Sequence, residues 1–178
     1  MEIAFDRYRL RIGYGARTSI AREARQQAST VVRLDGSGQD ETWIVVRDPE
    51  VTGKEGPYWA IRLRYDRHPR APVALAVISH THRLFVGADR DHWVVDLQGR
   101  TSLSHRRGTL FQQFQVFADG VLGVDEEHLS FYGPFGKPRW EMKVARGYDY
   151  SVQAGNFTLL EGEKENVFPL VSGPATDE

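Results

Sequence analysis

The chain contains no cysteine in 178 residues, and that absence removes disulfide bridges, zinc–thiolate clusters and cysteine nucleophiles together. Lysine is scarce as well, with 4 residues against 19 arginines. Long hydrophobic runs are missing: the longest, APVALAVI, reaches about half the length of a membrane span. The opening stretch MEIAFDRYRLRIGYG lacks the unbroken apolar core of about seven residues that a secretory signal needs. A cytoplasmic location is therefore expected. At this length a domain buries roughly 70% of its unfolded surface, so a core alone can hold it without a disulfide or metal.

What the chain does have is β-pattern. In YRLRIGY, Tyr8, Leu10, Ile12 and Tyr14 alternate with Arg7, Arg9 and Arg11; in YWAIRLRYD, Trp59, Ile61, Leu63 and Tyr65 alternate with Arg62 and Arg64. A period of two with one polar face describes a half-buried antiparallel strand. Further strands are predicted at 30–35, 42–48, 73–79, 83–87, 93–97, 110–118, 121–124, 129–132, 139–144, 151–154 and 158–161. One short helix near the N-terminus is predicted in TSIAREARQQA, with Ser19 as its cap and Ile20, Ala24 and Ala28 on one stripe. Residues 1–170 are read as a single β-rich domain and 171–178 as a flexible C-terminal tail.

The chain also echoes itself. Asp89, Asp91 and His92 in LFVGADRDHWVVDLQGRTSLSH recur as Asp125, Glu127 and His128 in VLGVDEEHLSFYGPFGKPRWEM, 36 residues on (125 − 89). A weaker third copy begins at FTLLEGEKENVFPL, and TWIVVRDPEVTGKEGPYWAI is a candidate divergent earlier one. Repeats of this length indicate stacked supersecondary units. The segment Leu84–Gly87, the strand Trp93–Asp96, Gly99 and Trp140 resemble one blade of a β-propeller, of the quinoprotein-like or WD type. That resemblance covers about residues 72–165 and implies blade-like antiparallel units there. A closed ring takes at least four blades of about 40 residues or more. The expected fold is thus all-β: a mainly antiparallel meander of curved sheets, partial-propeller-like or sandwich-like. Its ends would be closed by the N-terminal strands, the helix or a second subunit.

No motif reaches the standard of an enzyme, and no cofactor is expected. His80, His82 and His92 form a candidate metal cluster for a metal-dependent hydrolase, but a polar turn between two strands explains the same residues. Gly53–Lys54 lacks the first glycine and the Ser/Thr of a phosphate loop, and Asp89–Arg90–Asp91 has Trp93 where a calcium loop needs a ligand. Each of the four tryptophans, Trp43, Trp59, Trp93 and Trp140, falls in a strand pattern, where core packing is the default.

Charge is uneven. Residues 1–83 hold 14 Lys/Arg against 10 Asp/Glu, a balance of +4, and residues 84–178 hold 9 against 14, a balance of −5. The arginine excess is consistent with a high-GC bacterial genome and also with a face for an anionic partner. The expected function is a non-catalytic protein-interaction module, of accessory, inhibitor or immunity type in a bacterium. Its expected contact residues are Arg7, Arg9, Arg11, Arg62 and Arg64 and the acidic loop Asp125, Glu126 and Glu127. RNA or single-stranded DNA binding through the arginine-lined strands is the other alternative, although the overall charge of −1 is unlike a dedicated nucleic-acid domain. The opposed halves also permit head-to-tail self-association.

Overall fold

A computed structural model of the chain describes residues 1–36, 38–48, 58–66 and 73–175. The loop signals in residues 49–57 and 67–72, Gly53–Lys54 among them, and the last three residues of the expected tail lie outside the described residues. Among the described residues the fold is all-β with one α-helix, built as four sheets that pack face to face.

Sheet 1 contains β1 (Glu2–Phe5), β2 (Tyr8–Tyr14), β3 (Val31–Asp35), β4 (Asp40–Arg47) and β5 (Trp59–Tyr65), in the order β1-β2-β4-β5-β3. The helix α1 (Ser19–Gln27) follows β2. Its N-cap is Thr18 rather than the expected Ser19: Thr18 is extended, and its Oγ1 accepts the Ala21 N–H at 3.1 Å, so Ser19 is already helical. Gly13 lets α1 sit close on β2, because a Cβ there would lie 2.7 Å from Thr18 Oγ1. By crossing the sheet, α1 carries the chain to the far edge, where β3 pairs parallel with β5. Two parallel strands require such a crossover, and this pairing departs from a pure meander.

The other sheets are antiparallel meanders. Sheet 2 is β6 (Ala74–Ile78), β7 (Arg83–Ala88), β8 (Asp91–Asp96) and β9 (Thr101–Arg107). Sheet 3 is β10 (Phe111–Phe117), β11 (Gly120–Asp125), β12 (His128–Tyr132) and β13 (Pro138–Lys143), and sheet 4 is β14 (Asp149–Gln153), β15 (Asn156–Glu161) and β16 (Lys164–Pro169). Strands β7, β8 and β9 begin at 83, 91 and 101, and β11, β12 and β13 at 120, 128 and 138, a constant step of 37. β15 and β16 begin at 156 and 164, a further 36 on. The echo in the sequence is therefore a repeat of blade-like sheets, and FTLLEGEKENVFPL is its third copy. The candidate earlier copy supplies β4 and β5, which pair antiparallel inside sheet 1.

Each junction between sheets is an apolar layer. Leu10, Ile44, Ile61 and Leu63 of sheet 1 pack with Leu84, Val86, Trp93 and Val95 of sheet 2. The opposite face of sheet 2, with Phe85 and Val94, meets Val121 and Tyr132 of sheet 3. Leu122, Phe131 and Trp140 of sheet 3 meet Phe157, Leu159 and Phe168 of sheet 4. On the outer face of sheet 1, α1 buries Ala21 and Ala24 against Trp43, Val45 and Ala60. No helix among the described residues is long and apolar enough to cross a membrane.

Among the described residues sheet 4 has three strands, where sheets 2 and 3 have four. The chain after β16 packs on Trp140 of sheet 3. Trp140 Nε1 donates to the Leu170 carbonyl at 2.6 Å, and Gly173, with φ +78°, lies so close to the indole that a Cβ would fall 2.5 Å from it. Gly173→Ala should therefore lower stability by roughly 1–3 kcal/mol, from both the left-handed backbone and the overlap. Denaturant unfolding checks this; an unchanged midpoint would mean that residues 170–173 do not pack on Trp140.

Candidate partner-binding face

The alternation of β2 and β5 sends their apolar side chains toward sheet 2 and their arginines to the outer face, beside α1. Arg9, Arg11, Arg62 and Arg64, far apart in sequence, thereby share one surface, with β4 between the two rows. Strand β3 adds Arg33, which stands opposite Arg62 in the parallel register and is exposed. The same period of two that marks Val32 and Leu34 as buried would have placed Arg33 outward, yet it was absent from the expected contact residues.

Several of these guanidinium groups are held by carboxylates contributed from elsewhere in sheet 1 and α1. Arg11 Nη1 lies 2.9 Å from both oxygens of Glu23, and Arg62 Nε donates to Glu41 Oε2 at 3.0 Å. Arg25 of α1 donates to Glu41 Oε1 at 2.7 Å and lies over the Trp43 ring, 5.1 Å from its centroid. Burial acts to raise the Glu41 pKa, but hydrogen bonds from Trp43 and Arg62, the Arg62 charge and the Arg25 hydrogen bond outweigh it and hold the carboxyl below its ordinary value. Arg7 sits in the β1–β2 turn and donates to Asp48 Oδ2, from Nε at 3.0 Å. Arg9 donates to the carbonyls of Asp6 and Tyr8. Arg33 and Arg64 have no carboxylate partner among the described residues. The face thus combines a cross-braced centre around Glu23 and Glu41 with two exposed cations, Arg33 and Arg64, and one exposed carboxylate, Asp35, along the β5–β3 margin.

The acidic loop lies two sheets away, at the β11–β12 turn, and is not brought to this face. Asp125 is buried, and its Oδ1 accepts Thr109 Oγ1 at 2.7 Å and the backbone N–H groups of Glu127 and His128. It organises the turn. Glu126 and Glu127 face Arg146, whose Nε donates to Glu127 Oε1 at 2.5 Å. A cleft of about 360 Å³ opens beside them, lined by Gln112, Glu126, Arg146, Tyr148, Asp149 and Tyr150.

The structure separates the three histidines. His80 falls in a 3₁₀ turn, Ser79–Thr81, rather than on a strand, and His82 follows it in the left-handed conformation (φ 57°) with Nδ1 2.5 Å from the Tyr8 hydroxyl. His92 pairs with Gly87 at the other end of the β7–β8 hairpin, a strand length of roughly 17 Å away. Its Nε2 is bonded to the Tyr132 hydroxyl of sheet 3. Among the described residues no group of three His, Asp or Glu side chains is placed to hold a metal. All four tryptophans are buried, none more than 8% exposed.

No family model matches the chain, and no curated protein matches it in sequence. Similar solved structures include BamB from Moraxella catarrhalis, at 14% identity and a TM-score of 0.47, covering 98% of this chain and 58% of that one. Sqt1 from Saccharomyces cerevisiae is similar at 10% identity and a TM-score of 0.46, over 75% of this chain and 42% of that one. The Pan2 WD40 domain from Neurospora crassa is similar at 15% identity and a TM-score of 0.41, over 62% and 39%. The chain spans less than two thirds of the length of each.

His92 has a measurable consequence. Burial, with a contribution from the Arg106 charge and against the pull of Asp125, pushes its pKa down to about 4. The unfolded chain therefore binds the extra proton first, between about pH 6.5 and 4. The stability that neutral His92 contributes is complete above about pH 6.5 and should fall by about 3 kcal/mol as the pH drops through about 4. His92→Gln, which can still bond Tyr132, should flatten that part of the profile in urea titrations from pH 7 to 4. An identical slope in the variant would remove His92 as the cause.

Proposed function

We propose that the chain is a non-catalytic protein-interaction module, of accessory, inhibitor or immunity type in a bacterial cytoplasm, that binds an acidic protein surface through the outer face of sheet 1. The observation that supports this is the collection of Arg9, Arg11, Arg33, Arg62 and Arg64 from three strands onto one face, with Arg33 and Arg64 lacking carboxylate partners among the described residues. The braced centre favours binding: Glu23 and Glu41 hold long side chains in place, so less rotamer freedom is lost on contact. Planar guanidinium forks suit carboxylates, and cationic rows mainly speed encounter and select acidic partners.

The same arginines would also attract a nucleic-acid backbone, but the buried tryptophans leave that face without the tryptophan stacking platforms that single-strand binders use. The His80, His82 and His92 hydrolase reading has no geometric support, since His82 and His92 are bonded to different tyrosines, Tyr8 and Tyr132, at opposite ends of the β7–β8 hairpin.

Affinity capture from the native organism with nuclease present tests the proposal. Wild type should retain a stoichiometric acidic protein. Arg33→Glu with Arg64→Glu, both at exposed positions, should reduce retention by roughly tenfold or more. Equal retention by the charge-reversed protein would contradict the assignment of this face, and loss of the captured material to nuclease alone would favour nucleic acid.

A further inference from the structure

We propose that the acidic partner of the arginine face is the bare face of sheet 4 on a second copy of the chain, so that copies associate head to tail; this rests on reading the sheet 1 face as a protein-binding surface. Three features support it.

The first is coverage. The central strands β7, β8, β11 and β12 of sheets 2 and 3 are buried on both faces, and α1 covers part of the outer face of sheet 1, but no described element packs on the outer face of sheet 4. Register defines that face: Asp149, Leu160 and Glu165 form one row, and Ser151, Thr158 and Val167 the next. Val167 is 60% exposed and Leu160 38%, which leaves two apolar side chains in water on a strand pair whose other side is core.

Charge is the second feature. The outward residues of sheet 4 include two carboxylates and no cation, and neither Asp149 nor Glu165 has an ion-pair partner among the described residues. The β5–β3 margin of sheet 1 carries Arg33 and Arg64, again without ion-pair partners among the described residues, with the one carboxylate Asp35 opposite Arg64 in register and Val31, which is 36% exposed, beside them. A copy set with sheet 4 against that margin places carboxylates opposite guanidinium groups and Leu160 and Val167 opposite Val31.

The third feature is what the same charges disfavour. A symmetric contact of sheet 4 with sheet 4 would bring Asp149 and Glu165 against their own counterparts, and a contact of two arginine faces would do the same with cations. Only the unlike pairing is complementary. It is a heterologous contact, which repeats from copy to copy unless it closes into a ring. Three strands about 4.8 Å apart and five residues long offer roughly 15 by 17 Å, far below the 800 Å² or so per partner of a stable dimer. The association is therefore weak and carried by charge, and salt screens it.

Sedimentation velocity on the whole chain from about 10 to 200 μM, in about 20 mM and 500 mM salt, reads it directly. Wild type should sediment faster with rising concentration at low salt and not at high salt. The head variant (Arg33→Glu, Arg64→Glu) and the tail variant (Asp149→Lys, Glu165→Lys) should each sediment as monomer, with circular dichroism confirming the fold. An equimolar mixture of the two should associate again, because the reversed charges are complementary to each other. A wild-type protein that stays monomeric at low salt throughout the range would overturn the proposal, as would association that survives either reversal. If the copies do not associate but affinity capture still depends on Arg33 and Arg64, this inference fails and the protein-binding reading stands; if both fail, both are withdrawn.

Discussion

Among the described residues no backbone ladder joins one sheet to the next, so the molecule depends on the burial of consecutive sheet faces against each other. Apolar packing supplies the driving force but little direction. Direction comes from tyrosine hydroxyls, which need a partner once buried. One or more crosses each junction. Tyr8 of sheet 1 bonds His82 of sheet 2, and Tyr132 of sheet 3 bonds His92 of sheet 2. Between sheets 3 and 4, the Tyr150 hydroxyl accepts from Gln113 and Gln115, while Tyr148, in the segment entering sheet 4, donates to the Asp125 carbonyl. Burial pushes the Tyr132 pKa up to about 12, so the hydroxyl stays protonated.

The stack is not the same at its two ends. At one end α1 caps sheet 1 and a lattice of arginines and glutamates surrounds it; at the other, sheet 4 has a face that no described element covers, with carboxylates and two exposed aliphatic side chains. This arrangement converts a charge imbalance between two halves of a sequence into a polarity along a structure. Several residues of SHTHRLFVGADRDH join neighbouring sheets. His82 and His92 bridge to neighbouring sheets, and the Asp89 carbonyl accepts the Phe111 N–H at 2.6 Å at the entry to sheet 3.

Much of the fold was legible because period-two alternation and turn residues are local signals. The rows Tyr8/Leu10/Ile12 and Trp59/Ile61/Leu63 face the core as the pattern requires, and the repeat appears in the strands it marked. Strands β1, β9 and β16 were not predicted. TSLSHRR in β9 has almost no buried side chain and therefore no alternation to read, and KENVFP in β16 buries only Phe168. These strands form because a neighbour offers hydrogen bonds, which is not a property of their own sequence. The parallel pairing of β3 with β5 was equally invisible, since it depends on the route of α1. At the candidate face, the outward direction of Arg9, Arg11, Arg62 and Arg64 was readable from alternation. Which of them would find Glu23 or Glu41 was not, because those contacts join residues 12 and 21 positions apart through the tertiary fold. Asp125 looked like one residue of a solvated acidic run, and its three hydrogen bonds could not be inferred from composition.

The central claim is a face-to-face stack whose last sheet, sheet 4, is covered on one face only by the described residues, and native-state hydrogen exchange read by mass spectrometry tests it most directly. The account predicts that β7, β8, β11 and β12, covered on both faces, exchange together and slowest. β14, β15 and β16, covered on one face, should exchange measurably earlier. Equal protection of sheet 4 and the two middle sheets in a monomeric sample would contradict the open-ended stack.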